Sequence, residues 1–174
     1  MTDDDAVAET ERLVLRRWRV ADAAVQRTLW AERDPRTPAH RRLSSDGHPT
    51  LEELEDRIRH ESPGATVALL AAVRRTDGAV VGYAGLIRND HGEPDEPEIA
   101  YEFLRAEWGR GLATEACGAV VDWARRTRHR RLWATVREWN TASRRVLDKV
   151  GFAETTRVDR DAAHGDTLYY RLDL

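Results

Sequence analysis

A ten-residue stretch, EWGRGLATEA at Glu107 to Ala116, limits the folds open to this chain more than any other feature. It sets two glycines, Gly109 and Gly111, one residue apart and directly ahead of a run with helical spacing. The stretch before it, PEIAYEF from Pro97 to Phe103, reads as a strand. Strand, tight glycine turn and helix N-terminus in that order form an anion-binding corner, because the free N–H groups of a helix start and its dipole both favour negative charge. In an α/β sheet such a corner lies beyond the carboxyl end of its strand, where ligands bind.

The rest of the chain fits a sheet around that corner. Residues 11–17 alternate polar and apolar and suit a strand, and 20–31 carry Ala, Leu and Trp30 at helical spacing. Pro35, Pro38, Gly47 and Pro49 mark 32–49 as loop. Thr50 followed by Glu53 is a capping-box pattern that opens a helix ending near Ser62. Strands are expected at 65–74 and 79–88 around the turn Thr76-Asp77-Gly78, then at 97–104. A helix over 112–128 leads to a strand at 131–138. Asn140 caps a helix at 141–150. Strands at 151–159 and 166–173 flank a turn at Ala163-His164-Gly165. The order predicts an α/β fold with a mixed sheet of about seven strands and roughly four helices, in which 97–138 is a right-handed parallel crossover. Residues 1–9 are expected to be a disordered acidic tail and 10–174 a single domain.

Bulk properties exclude several roles. A net charge of −3 argues against general nucleic-acid binding and against a basic membrane patch. The opening MTDDDAVAETE has neither the positive region nor the apolar region of a signal peptide, and no apolar run is long enough to span a bilayer. Cys117 is the lone cysteine, so no internal disulfide forms, and a cytoplasmic location is expected. His40, His48, His60, His91, His129 and His164 show no metal-ligand spacing, so no metal is expected.

Three segments together resemble the GNAT acyltransferases. PEIAYEFLRAEWGRGLATEA is similar to the strand, phosphate loop and helix of that family, and NTASRRVLDKVGF at 140–152 to its second acyl-CoA segment. ERLVLRRW at 11–18 resembles the opening strand of the Rim-type members, which acetylate the N-termini of ribosomal proteins. The resemblance covers about 11 to 172. It implies an acetyl-CoA-dependent N-acetyltransferase that acts by direct attack of an amine in a ternary complex. The acceptor would be a protein or peptide N-terminus or a small-molecule amine, and the enzyme a monomer or homodimer.

The same resemblance assigns residues. The N–H groups of Trp108, Gly109, Arg110, Gly111, Leu112 and Ala113, extended to Thr114, would hold the pyrophosphate of coenzyme A, with Trp108 standing where the family commonly has a polar residue. The backbone of Glu102, Phe103 and Leu104 would meet the pantetheine arm and polarise the thioester carbonyl. Asn140 would contact the arm as well as cap its helix. The family's Leu-Tyr pair reads Leu147-Asp148 here, so its acid tyrosine is absent, and Ser143, the serine of the Rim-type Asn-x-x-Ser, is the candidate acid. Ser143 also reads as an ordinary first-turn helix residue.

Glu98 matches the strand position used as base in histone-type members; its other reading is a solvated strand-end carboxylate. Asp159 and Asp161 are further base candidates. Asp90, Glu93, Asp95 and Glu96 would favour a cationic acceptor, and Trp18, Trp30 and Trp139 are candidates to line its pocket, while Trp123 and Trp133 read as core. The basic run RRTRHRR at 125–131 reads as a solvated helix end, with the adenosine 3′-phosphate or RNA as other partners. From a different class, the chain could be a non-catalytic acyl-CoA sensor or interaction module on the same fold.

Overall fold

The computed structural model of the chain describes residues 5–62, 64–89, 93 and 95–174. Along the chain run β1 (Ala6–Glu9), β2 (Leu13–Arg16), α1 (Ala23–Glu32), α2 (Leu51–Arg59), β3 (Leu69–Arg74), β4 (Val80–Ile87), β5 (Glu98–Phe103), α3 (Leu112–Arg126), β6 (Arg131–Arg137), α4 (Thr141–Lys149), β7 (Ala153–Asp159) and β8 (Thr167–Asp173). Eight strands form one sheet in the order β1-β2-β3-β4-β5-β6-β8-β7. Every neighbouring pair is antiparallel except β5 and β6, which are parallel and joined through α3.

The sheet has one strand more than the pattern predicts. Residues 6–9, expected as tail, pair with β2, with Ala8 opposite Leu15 and Glu9 opposite Val14. The turn closes through the Thr10 N–H to the Leu13 carbonyl at 2.9 Å. Ala8 is buried and Val7 packs beside it, which is enough apolar surface to seat a four-residue edge strand despite its acidic neighbours.

The two sheet faces carry different layers. Leu13, Leu15, Leu70, Ala84, Leu86, Ile99, Phe103, Leu132 and Val136 pack with Leu112, Cys117, Val120 and Trp123 of α3 and Leu147 of α4. On the other face Trp18, Ala71 and Tyr83 pack against Ala23 of α1 and Leu54 and Ile58 of α2. The Thr50 hydroxyl accepts from the Glu53 N–H and the Glu53 carboxylate accepts from the Thr50 N–H, so the capping box that starts α2 is formed. Before α1, Arg16 and Asp22 make a buried two-pronged ion pair at 2.6 and 3.1 Å, which fixes how the chain leaves β2.

Two glycines set how closely β4 lies against its neighbours. A Cβ on Gly82 would stand 2.4 Å from the Glu102 carbonyl oxygen and 2.8 Å from the Phe103 Cα; one on Gly85 would stand 2.2 Å from the Ala68 oxygen. These obstacles are backbone, so nothing can swing away. Gly82→Ala is therefore expected to lower stability by about 2 kcal/mol, in the range of overpacking costs. Urea unfolding checks this; an unchanged midpoint would show that β4 and β5 part at no cost.

Candidate active site

The chain leaves β5 through a single 3-10 turn, Arg105–Glu107, and reaches α3 through the two glycines. Gly109 has φ +74° and Gly111 has φ +77°, the left-handed region that costs a side-chain residue about 1–2 kcal/mol. A Cβ on Gly109 would meet nothing within 4 Å, so the face above the turn is open. The first helical bond of α3 runs from the Glu115 N–H to the Gly111 carbonyl at 3.1 Å, which leaves the N–H groups of Leu112, Ala113 and Thr114 ahead of the ladder. Trp108 departs from expectation: its N–H donates to the Arg105 carbonyl at 3.2 Å. Its indole N–H donates to the Phe103 carbonyl at 2.8 Å, and the residue as a whole is 62% exposed. The tryptophan ties the turn back to the strand.

Ion pairs brace this corner. Glu107 is buried and accepts from Arg74 at 2.7 Å and from Arg110 at 2.6 Å, so Arg110 supports the turn. Arg12 donates to Glu115 at 2.6 Å and to the Arg110 carbonyl at 2.9 Å, and the Thr10 hydroxyl also reaches Glu115. Burial alone would raise the Glu115 pKa, but the bonds from Thr10 and Arg12 hold it below the ordinary glutamate range. Both nearby carboxylates are thus neutralised, and the open N–H face fits an anionic group of pyrophosphate size.

Next to the corner the sheet opens. β5 and β6 share one register pair, Glu98 opposite Trp133, with the Trp133 N–H donating to the Pro97 carbonyl at 3.0 Å. The Leu104 N–H donates across to Val81 at 3.0 Å, so the even-numbered residues of β5 turn their backbone to β4 and the odd-numbered ones turn theirs to β6. Of the expected Glu102, Phe103 and Leu104, Glu102 is therefore paired with β4. Leu104 uses its N–H there and its carbonyl for Glu107, and Phe103 has its carbonyl taken by Trp108. The backbone that faces the opening belongs to Tyr101 and to the Phe103 N–H.

Across the opening lies the start of α4. The Asn140 side chain accepts from the Ser143 N–H at 3.1 Å, so it caps the helix. The Ser143 hydroxyl lies 2.7 Å from the Tyr101 hydroxyl, which also donates to the Ser143 carbonyl at 3.0 Å. Burial pushes the Tyr101 pKa well up, so the phenol stays protonated. Sequence reasoning looked for a tyrosine on α4 and missed this one on β5. The strand's period of two was the available signal, since Tyr101 shares a side with Ile99 and Phe103.

The opposite face of the sheet holds the other candidates. Arg33 clasps Glu102 with bonds of 2.6 to 3.0 Å, Tyr83 donates to the same carboxylate at 3.1 Å, and the guanidinium lies 4.3 Å over the Trp30 ring. Arg36 lies 4.0 Å over the Trp139 ring, and the Trp139 indole donates to the His164 carbonyl at 2.8 Å. Trp139 therefore bridges the loop after α1 and the turn before β8. Trp18, by contrast, is core against Tyr83.

Several acids are spent on structure. Desolvation works to raise the Asp161 pKa, but N–H bonds from His164 and Ala163 and the Arg137 guanidinium hold it below the usual range, which makes it a turn organiser and a weak base. Asp159 accepts from the Tyr169 hydroxyl. Glu96 is buried and bonded to Arg131 and to the Trp133 indole, so Glu96 is not available to an acceptor and Trp133 is half-buried with a polar partner. Asp90 lies outside the described residues. Glu98 is a special case: one carboxylate oxygen accepts both the Thr135 N–H, at 3.0 Å, and the Thr135 hydroxyl, at 2.5 Å.

Cys117 is fully buried and its pKa raised, which removes it as a nucleophile. The basic run at 125–131 sits at the far end of α3, whose 15 residues span about 22 Å, so it does not belong to the glycine corner. Among the described residues no helix is long and apolar enough to cross a membrane.

Known proteins agree with this geometry. Residues 12–153 match the family model described as Acetyltransferase (GNAT) domain. An uncharacterised N-acetyltransferase, p20 of Bacillus licheniformis, is 28% identical over 149 residues, covering 82% of this chain and 80% of that one. A GNAT-family acetyltransferase from Bacillus anthracis superposes with a TM-score of 0.76 at 21% identity, covering 95% of this chain and 97% of that one. RimJ of Mycobacterium smegmatis, solved in complex with CoA-disulfide, does so with a TM-score of 0.65 at 26% identity, covering 92% and 81%. A glycine corner at the end of β5, an unzipped strand pair beside it and a match over most of the chain lead to one conclusion: the chain belongs to the GNAT family of acetyltransferases, whose reaction is acetyl-CoA-dependent acetyl transfer.

Proposed function

We propose that this protein is an N-acetyltransferase of the Rim type, which moves the acetyl group of acetyl-CoA to a primary amine by direct attack in a ternary complex. One observation carries the reading: the opening between β5 and β6 runs from the glycine corner to the Ser143 hydroxyl. The likeness to RimJ over most of both chains supports the subgroup. The N–H groups of Gly109 to Thr114 take the pyrophosphate, and the pantetheine arm lies along the unpaired edge of β5. The N–H of Tyr101 or Phe103 polarises the thioester carbonyl.

A neutral amine attacks the carbonyl carbon, the C–S bond breaks, Ser143 delivers a proton to the departing thiolate, and the proton shed by the nitrogen passes to solvent. The hydrogen bond to the Tyr101 phenol, whose own proton goes to the Ser143 carbonyl, orients the hydroxyl, which regains its proton from solvent. Amine and thioester react within one complex, so no covalent enzyme intermediate is needed. The acceptor is a peptide or protein N-terminus or a small amine that enters from the α1 side, past Trp30, Arg33 and the Arg36–Trp139 contact. Screening a panel of amines, with release of free thiol as the readout, tests the reading. Acetyl-CoA binding with no thiol release for any amine would favour a non-catalytic sensor instead.

Two variants separate the parts of the site. Gly111→Asp places a side chain at a left-handed position and a negative charge beside the pyrophosphate. Calorimetry is expected to show no acetyl-CoA binding by a folded protein, and retained affinity would remove the corner from the site. Ser143→Ala is expected to lower kcat roughly 100-fold while acetyl-CoA affinity holds, the usual size of a general-acid contribution. Near wild-type kinetics would reduce Ser143 to a helix residue.

A further inference from the structure

The geometry points to Glu98 as the residue that holds the sheet open, a positioning residue for the acyl-CoA arm and not the base that its strand position suggests. The β5–β6 ladder ends at the Glu98–Trp133 pair, where the Trp133 N–H donates to the Pro97 carbonyl at 3.0 Å. In a parallel register the next rung would join Thr135 to Ile99, with the Thr135 N–H donating to the Ile99 carbonyl. That N–H is instead bonded to the Glu98 Oε1 at 3.0 Å, and the same oxygen takes the Thr135 hydroxyl at 2.5 Å. A side-chain oxygen has replaced a backbone oxygen at the first position beyond the rung.

The consequence follows from the chemistry of backbone groups. A strand N–H in a half-buried sheet needs an acceptor, and the nearest natural one is the neighbouring strand. If Thr135 lacked the Glu98 oxygen, its N–H would be satisfied by closing on Ile99, and Tyr101 would follow onto Thr135. That closure would consume the edge of β5 that the arm of acetyl-CoA would use. Further along, the Tyr101 phenol crosses to Ser143 and keeps the strand ends apart. Glu98 thus acts at the narrow end of the opening and Tyr101 at the wide end. The role in positioning acetyl-CoA rests on the proposed use of the opening. The wedge itself rests on the two Thr135 bonds alone.

A base and a wedge demand different things of one side chain. A base needs basicity; a wedge needs an acceptor oxygen at glutamate reach. Glu98→Gln keeps the oxygen and removes the basicity, whereas Glu98→Asp keeps the basicity and withdraws the oxygen by one methylene. Glu98→Ala removes both.

Calorimetry with acetyl-CoA, pH–rate profiles and amide exchange in the ligand-free protein read the difference. Glu98→Gln is expected to keep acetyl-CoA affinity within about threefold and the shape of the pH–rate profile, while Glu98→Asp and Glu98→Ala lose about tenfold or more in affinity, the scale of lost hydrogen bonds. In Glu98→Ala the Tyr101 amide is expected to exchange about tenfold more slowly, as a new rung protects it.

A rate loss in Glu98→Gln that recovers at high pH would make Glu98 the base and overturn the wedge. So would unchanged affinity and unchanged Tyr101 exchange in Glu98→Ala or Glu98→Asp. If the wild-type protein failed to bind acetyl-CoA, the proposed function would fall. The exchange measurement would then decide the wedge by itself, slower Tyr101 exchange supporting it and unchanged exchange refuting it.

Discussion

The site depends on a parallel strand pair that is left unfinished. A sheet normally satisfies its backbone by continuing each ladder, and here β5 does so fully toward β4 and at a single register pair toward β6. The contrast is built from side chains. On one side Gly82 has no Cβ, and β4 lies against the backbone of Glu102 and Phe103 at distances that no other residue would permit. On the other, Glu98 and Tyr101 reach out and bond to β6 and α4. One strand is therefore clamped along one edge and free along the other, and a free edge of polar groups next to an anion corner is a place for a ligand with a phosphate end and an amide-bearing arm.

Much of the fold was legible because it is written in local patterns. Alternation placed β2, stretches bounded by turn residues placed β3 to β8, the glycine pair placed the start of α3, and Thr50 with Glu53 and Asn140 placed the starts of α2 and α4. The strand at Ala6–Glu9 was hidden because three small apolar residues and a glutamate in an acidic stretch carry no periodic signal; it forms because β2 offers an edge. The site was legible where its chemistry is local, as in Gly109, Gly111 and the cap at Asn140. It was not legible where a side chain finds its partner far along the chain. Tyr101 with Ser143, Arg33 with Glu102, and Glu98 with Thr135 join residues whose separation in sequence carries no information about contact.

The charge of the chain also reads differently in three dimensions. In the sequence the acids Asp90, Glu93, Asp95 and Glu96 read as a cluster that would favour a cationic acceptor. Instead Glu96, Glu102, Glu107, Glu115 and Asp161 each hold an arginine. Glu96 and Glu107 are buried and the other three partly so, and such carboxylates are kept only when their hydrogen-bonding capacity is met. Their work is to fix loops: Glu107 the glycine turn, Glu102 the segment after α1, Asp161 the turn before β8. Arginines also cover aromatic rings: Trp30 and Trp139 each carry a guanidinium at about 4 Å.

Strand geometry finally separates the two halves of the proposed reaction. Side chains of β5 alternate, so Ile99, Tyr101 and Phe103 address α3 and α4 while Glu98 and Glu102 address the side of α1. Ser143, the proposed proton donor, stands with the first set, and Trp30, Arg33 and Trp139, proposed to line the acceptor's entry, stand with the second. A thioester lying between the strands would present its sulfur to one face and its carbonyl carbon to the other. In the proposed reaction an amine arriving from the α1 side would meet a face of the carbonyl, and the two proton movements would occur on opposite faces of the sheet. Residues two apart on one strand can serve the same step; residues one apart cannot. Tyr101, one residue before Glu102, therefore shares its face with Ser143 and not with Arg33.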